Sequence, residues 1–276
     1  MTKALDALPI MHRGSFIVKA MIRHSPPQIS NFKSPISTPW PYLDIPLMDY
    51  QEALEMQRAL VEARVSGAME HDLVLFLEHP PVFTLGRRGG REHLLVDDST
   101  LAAKGIGVFH VERGGYITYH GPGQLVVYPI VDLWKIGLSV VGFVDALEEV
   151  MIRTAGDWGV EARRSPLNRG IWAGNRKLGS VGLSIRHGVS FHGLALNVNT
   201  KMEPFSWINP CGLKGVEMLS MEQVSGKRIA TGEVRRAARR HMSEIFSVEL
   251  EPLRTSRLPE TVARHVPGSP AAGDSP

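Results

Sequence analysis

Three observations predict a mixed α/β fold of the α+β class, a mixed central sheet flanked by helices. Apolar residues recur at helical spacing in a few separated stretches. Apolar runs of strand length stand between them, punctuated by proline and glycine. Helices and strands mix without strict alternation, which argues against a doubly wound sheet. The first helix is expected over residues 50–68, where Leu54, Met56, Leu60, Val61 and Val65 carry the periodicity. A buried strand follows over 72–78 and ends at Pro80-Pro81, because tandem prolines cannot continue a ladder. A second strand is expected over 125–130 and a helix over 139–158. Residues 171–173 and 177–185 read as a hairpin turning on Gly174-Asn175. A further strand covers 191–198, and a basic amphipathic helix covers 233–246, with Arg235, Arg236, Arg239 and Arg240 on a solvated face.

The chain has 276 residues, 43% hydrophobic and 21% charged, as ordinary soluble domains do. Residues 1–40 hold five basic residues against one acid, with five prolines, and are expected to be a disordered extension. Such an acid-poor start also fits a transit peptide, a misassigned start or a lineage-specific tail. Residues 41–258 form the expected single catalytic domain, and 259–276, rich in Pro, Gly, Ser and Ala, the expected disordered tail. No apolar run reaches the ~18 residues of a membrane span. A net charge of +3 is too small to imply nucleic acid and suits an acidic protein partner.

Cys211 is the one cysteine. It cannot form an internal disulfide or build a metal site alone, and a single thiol suits a reducing, cytoplasmic setting. It is either a small buried hydrophobe or a reactive thiol. Pro210 before it and Gly212 after it suit a presented nucleophile.

Three further segments carry candidate chemistry. Residues 113–124 interleave Arg113, Thr118, Tyr119, His120 and Gln124 with four glycines and a proline, as a binding loop would. Lys177 heads a run of small residues, Gly179, Ser180 and Gly182, and is read either as a solvated edge charge or as a cation held beside a cysteine or an acyl carbonyl. Gly193 and Ala195 inside a strand leave room for a slender group such as an alkyl chain, or simply pack tightly. Gly86 to Arg91 is a weaker phosphate-loop signal and lacks a P-loop ending.

Together these segments resemble the lipoyl(octanoyl) transferase family. The resemblance rests on Glu78 to Arg87, on Arg113-Gly114-Gly115 with Thr118 to Gln124, on Lys177 with its Gly-Ser-x-Gly-Leu continuation, on Phe191 to Asn197, and on Asn209-Pro210-Cys211-Gly212. It spans roughly residues 45–225. It implies the fold of the biotin and lipoate ligase catalytic domain. It also implies octanoyl transfer from octanoyl-acyl carrier protein to the acceptor lysine of lipoyl domains, those of 2-oxoacid dehydrogenase complexes and the glycine cleavage H protein. No metal or cofactor is implied. By the resemblance, Cys211 is the acyl-thioester nucleophile and Lys177 lowers its pKa and moves protons. Arg113, Gly114, Gly115, Tyr116, Ile117, Thr118, Tyr119, His120, Ser180, Val181, Gly182, Gly193, Leu194 and Ala195 are the implied substrate contacts.

The chemistry is consistent. An unperturbed thiol is only ~3% ionised at pH 7, and a nearby ammonium raises that fraction. Thioester exchange is nearly isoenergetic and transfer to an amine runs downhill. Rival readings are an octanoyl amidotransferase between lipoyl proteins, an ATP-dependent lipoate or biotin ligase, and a non-catalytic acyl-carrier-protein binding module. His120 or His192 as a base for Cys211 is a variant of the main reading.

Overall fold

The computed structural model describes residues 38–209, 215–253 and 258–266. The chain runs β1 (Trp40–Ile45), α1 (Tyr50–Val65), β2 (Leu73–Leu77), β3 (Val82–Leu85), α2 (Asp98–Ala103), β4 (Gly107–His110), β5 (Ile117–His120) and β6 (Gln124–Ile130). It continues through α3 (Val140–Gly156), β7 (Arg163–Ser165), β8 (Asn168–Ala173), β9 (Arg176–Arg186) and β10 (Val189–Asn197). The last elements are α4 (Met221–Ser225), α5 (Thr231–Phe246), β11 (Leu250–Pro252) and α6 (Glu260–Ala263).

The main sheet has the order β11-β1-β2-β6-β10-β9-β8-β7, and β4-β3-β5 form a small second sheet. Strand β1 pairs in parallel with both β11 and β2, while β2 through β7 pair antiparallel across the rest of the main sheet. The expected mixed sheet is therefore present.

Its two faces follow from the period-2 alternation of buried strand residues. On β2, Val74 and Phe76 join the core under α3 and α5, while Leu73, Leu75 and Leu77 join the core under α1 and α6. On β6, Leu125 and Val127 take the first face, and Val126, Tyr128 and Ile130 the second. With helices on both sides these strands read as unbroken apolar runs. Each side chain fully buried there contributes roughly 1.5–3 kcal/mol of transfer free energy.

Local chemistry sets the helix starts. Asp49 caps α1 by accepting from the backbone N–H of Gln51 and Glu52, and Ser139 caps α3 by accepting from Gly142 N–H. Helix α1 stops at Val65, three residues short of the expected end, where the chain turns at Gly67 with φ of 79°.

Two expectations are corrected. The arginines of α5 do not form one solvated face. Arg235 is buried and pairs with Asp44 at 3.3 Å, Arg239 also binds Asp44, and Arg240 binds Asp157. Their positive charge lies against carboxylates from other elements, which periodicity within one helix does not reveal. The expected tail boundary at 258 also falls inside a packed segment. Leu258, Val262 and Val266 are buried and join the α1 core, so the apolar spacing of residues 258–266 outweighs their loop-like neighbours. At the other end Trp40 is 1% exposed, so the folded frame takes in the last residue of the expected extension. Residues 1–37 and 267–276 lie outside the described residues. Among the described residues no helix is long and apolar enough to cross a membrane.

Candidate active site

The site is built around Lys177 near the start of β9. Its side chain is 1% exposed, not the solvated edge charge that is commonest for a lysine at a strand start. Burying an ammonium is costly unless acceptors meet it. Here Nζ donates to Asn168 Oδ1 at 2.7 Å and to the Arg169 carbonyl at 2.8 Å, and it stands 5.6 Å from the Trp172 ring centroid.

Both oxygen acceptors come from the start of β8, and the local geometry explains why they point inward. Gly170 has φ of 116°, and a Cβ there would lie 3.0 Å from Lys177 Cε and 3.1 Å from Ser180 Cα. Only glycine lets the strand pass so close beneath the lysine. Glu148 of α3 accepts from Gly170 N–H at 2.6 Å and pins the turn from the other side. Burial raises the pKa of Glu148, while that bond and the nearby Arg169 and Arg164 oppose the shift.

The lysine backbone is held by the segment that follows residues 210–214. Lys177 N–H donates to the Glu217 carbonyl at 2.8 Å, and Leu219 N–H donates to the Lys177 carbonyl at 2.9 Å. Before residue 210, Asn209 N–H donates to the His93 carbonyl at 2.9 Å. Cys211 itself lies outside the described residues.

A cavity of about 500 Å³ opens beside Lys177, within the range of small-molecule sites. It brings together Arg113, Gly114, Gly115, Tyr116, Ile117, Thr118, His120, Ser180, Val181, Gly182, Gly193, Leu194 and Ala195. Three separate sequence segments thus meet on one wall, where β9 and β10 face the loop before β5. The close approach is possible because Gly182 has no Cβ; one there would sit 3.2 Å from Arg113 Cδ and 3.3 Å from the Gly114 carbonyl. Gly114 N–H donates to the Leu183 carbonyl at 2.8 Å and stitches loop to strand. Gly193 lines the cavity with its backbone, and the Cβ it lacks would strike the Val127 carbonyl of β6. Strand packing alone therefore accounts for glycine at 193.

Tyr119 is the implied contact that the structure places elsewhere. Strand alternation turns its ring away from the cavity, against Phe83 and Phe205 at 5.4 Å each, under the small sheet. Burial pushes its phenol up to about 12.

Arg113 is buried and clamps β3. Its Nη2 donates to the Thr84 carbonyl at 2.6 Å and to Thr84 Oγ1 at 2.7 Å, and Nη1 donates to the Gly114 carbonyl at 3.0 Å. Its guanidinium thereby shapes the loop that lines the cavity.

His120 is tied into a buried relay. Its Nδ1 bonds Gln124 Oε1 at 2.7 Å, Gln124 Nε2 donates to Asn197 Oδ1 at 2.9 Å, and Asn197 Nδ2 donates to the Leu219 carbonyl at 3.0 Å. The relay ends on the segment that brackets Lys177. Burial holds the His120 imidazole well below its ordinary value, and the nearby His79 and Arg113 add to the shift. His192 is lowered too, chiefly by burial, against the opposing pull of Glu112. Its Nε2 stands 3.9 Å from Glu112 Oε2, beyond hydrogen-bond range but close enough to favour the Glu112 carboxylate, which is held at about 2. Burial favours the neutral form of both rings; His120 is bonded within the fold, whereas His192 Nε2 is buried without a hydrogen-bond partner among the described residues.

Sequence reasoning missed several wall residues. Tyr50 and Tyr128 line the cavity and stand beside His79, whose Nε2 bonds Tyr128 Oη and whose Nδ1 bonds the Met48 carbonyl, both at 2.8 Å. Asn168 and Arg169 were unmarked. The one available signal was the alternation of β6, which puts Tyr128 on the same face as Val126 and Ile130. Among the described residues no cluster of three or more His, Cys, Asp or Glu is arranged for a metal ion.

Comparison with known proteins agrees with this geometry. The family model described as lipoyl protein ligase A/B catalytic domain matches residues 49–243. The octanoyltransferase of Desulfotalea psychrophila is 48% identical over 206 residues, covering 74% of this chain and 92% of that protein. The octanoyltransferase of Syntrophobacter fumaroxidans is 45% identical over 204 residues, covering 74% and 89%. A solved structure of lipoate-protein ligase A bound with ATP superposes with a TM-score of 0.65 at 19% identity, covering 82% of this chain and 93% of that one. A bi-partite lipoate protein ligase from Thermoplasma acidophilum, studied with its E2 lipoyl domain, gives a TM-score of 0.63 at 18% identity, covering 82% and 91%. The two structural likenesses bear on the fold alone, and they agree with the expected lipoate-ligase architecture. The chain belongs to the lipoyl protein ligase A/B catalytic-domain family and, within it, to the octanoyltransferases, enzymes that move an acyl group.

Proposed function

We propose that this chain moves an octanoyl group from octanoyl-acyl carrier protein to the acceptor lysine of lipoyl domains through a thioester on Cys211, with Lys177 as the proton-handling partner. The observation that carries the reading is the buried Lys177 side chain, whose Nζ donates to Asn168 Oδ1 and the Arg169 carbonyl at the wall of a cavity of about 500 Å³. The backbone of Lys177 is also laddered to Glu217 and Leu219, just beyond the segment that contains Cys211.

In the first half-reaction the Cys211 thiolate attacks the octanoyl carbonyl. A new C–S bond forms, the bond to the pantetheine sulfur breaks, and the Lys177 ammonium gives that sulfur a proton. In the second, the acceptor lysine amine attacks the acyl-Cys211 carbonyl, neutral Lys177 takes the amine proton, and the Cys211 thiolate departs. The sum is thioester plus amine giving amide plus thiol, with no nucleotide consumed. Positioning and an oxyanion hole supply most of the rate, each oxyanion donor being worth ~10²–10³. The thirteen cavity residues named above are the acyl-substrate contacts in this reading, and Tyr119 supports the loop from behind.

Acceptors are the lipoyl domains of 2-oxoacid dehydrogenase complexes and the glycine cleavage H protein. Residues 41–258 are assigned to one catalytic domain, completed by the packed 258–266 segment. The lone thiol favours a cytoplasmic setting.

An ATP-free transfer assay from octanoyl carrier protein to a lipoyl domain tests the proposal. Cys211→Ala is expected to abolish transfer. Intact-protein mass spectrometry of the wild type with donor alone is expected to show an octanoyl adduct that hydroxylamine removes. Wild-type transfer rates in Cys211→Ala would overturn the reading.

A further inference from the structure

We propose that Arg87 and Arg88 form a phosphate site at the lip of the cavity, which reads the phosphodiester at the base of the pantetheine arm bearing the octanoyl thioester. This rests on the reading of the cavity as the octanoyl-transfer site.

The two arginines sit in a turn held rigidly against the substrate loop. Gly86, Arg87 and Arg88 N–H donate to the carbonyls of Tyr116, Arg113 and Gly115 at 3.0, 2.9 and 3.0 Å. Gly86 and Gly89 permit this contact, since a Cβ at Gly86 would lie 2.6 Å from the Gly115 carbonyl and one at Gly89 2.8 Å from Tyr116 backbone. Arg88 lines the cavity, its guanidinium 5.0 Å from the centroid of the Tyr116 ring. Arg87 Nη2 donates to Ser184 Oγ of β9 at 3.3 Å. Both residues are exposed, and of the two Arg88 borders the cavity itself.

Their charge is not taken up within the described residues. Arg91 of the same turn pairs with Asp98, and Arg169 across the cavity pairs with Asp145 at 2.5 Å. Among the described residues neither Arg87 nor Arg88 forms an ion pair with a carboxylate. The backbone N–H groups of the turn are spent on internal carbonyls, so an anion here meets side-chain guanidinium forks and not a P-loop cradle. Thioester-to-amine transfer consumes no nucleotide. The phosphate nearest the reacting carbonyl is the one that joins the pantetheine arm to its carrier.

The experiment compares the full chain with four donors: octanoyl-pantetheine, octanoyl-4′-phosphopantetheine, octanoyl-coenzyme A and octanoyl carrier protein. A charge-assisted phosphate contact is worth about tenfold or more in binding. The wild type is therefore expected to show a KM at least tenfold lower for phosphopantetheine than for pantetheine. In Arg88→Ala and in Arg87→Ala/Arg88→Ala that ratio is expected to fall below twofold, with kcat changed less than KM. Arg88→Lys is expected to restore part of it.

A ratio that stays at the wild-type value in the double variant would overturn the proposal. So would an arginine effect confined to the coenzyme A donor, which would assign the pair to the nucleotide portion. Calorimetric binding of octanoyl-4′-phosphopantetheine separates this idea from the transfer reading. Arginine-dependent binding without transfer by the wild type would keep the phosphate site and sink the octanoyl-transfer function.

Discussion

Asn197→Leu tests the buried relay behind the site. Asn197 is 1% exposed at the end of β10, and leucine has the same number of side-chain heavy atoms with the same branching, so the change removes polar function and leaves no cavity. Two bonds go. The Leu219 carbonyl loses the Asn197 amide donor at 3.0 Å, and Gln124 Nε2 loses its acceptor at 2.9 Å. A buried carbonyl left without a donor costs about 1–3 kcal/mol. Gln124 Nε2 keeps the Tyr119 carbonyl at 3.2 Å, so its loss adds about 1 kcal/mol. The sum is a destabilisation of roughly 2–4 kcal/mol, read as a lower urea midpoint at unchanged m. A domain of ordinary stability stays folded at 25 °C after such a loss. Transfer should nevertheless fall by about tenfold or more in kcat/KM, because the Leu219 segment that brackets the Lys177 backbone loses its anchor. Stability within about 0.5 kcal/mol of wild type together with kcat/KM within twofold would refute the relay as a support for Lys177.

Buried neutral histidines set an acid limit on stability. Burial lowers His79 to about 4 and lowers His120 and His192 in the same direction, so the unfolded chain takes up protons first. Their contribution is full above the unfolded value of about 6.5 and is lost as pH falls, at about 1.4 kcal/mol per unit for His79 alone until its folded value. Urea midpoints measured from pH 7.5 to 5 should drop steadily, and a flat profile would count against this account. Tyr119→Phe should leave the donor KM within twofold, since the ring packs on Phe83 and Phe205; a tenfold rise would return Tyr119 to the substrate site.

Strands β2, β6, β8, β9 and β10 were legible as short runs with their own punctuation, and both faces of β2 and β6 are covered, whereas β1, β3, β4, β5, β7 and β11 carried no such mark. The cavity wall was legible because it is written in clusters: Arg113 to Thr118 with His120, the small residues after Lys177, and Gly193 to Ala195. Partners distant in sequence were not. Asn168 reaches Lys177 only through the close pass at Gly170, and the amide of Gln57 accepts from His192 N–H across 135 positions. Tyr119 shows the limit within a motif, because alternation along β5 sends neighbouring residues to opposite sides. The arginines of α5 were misjudged because their carboxylate partners, Asp44 and Asp157, stand outside the helix.

Arg235 bears on how far the catalytic unit extends along the chain. Its guanidinium lies 3.8 Å from Glu78 Oε1, and the other oxygen of that carboxylate accepts from Gly123 N–H at 2.7 Å, at the end of the loop that carries His120. A residue late in the sequence is thereby the keystone of an arch whose other foot rests beside the cavity-lining loop. A minimal version cut after β10 would lose that keystone. Variants in α5 that look like harmless surface changes belong among those to screen for lost activity.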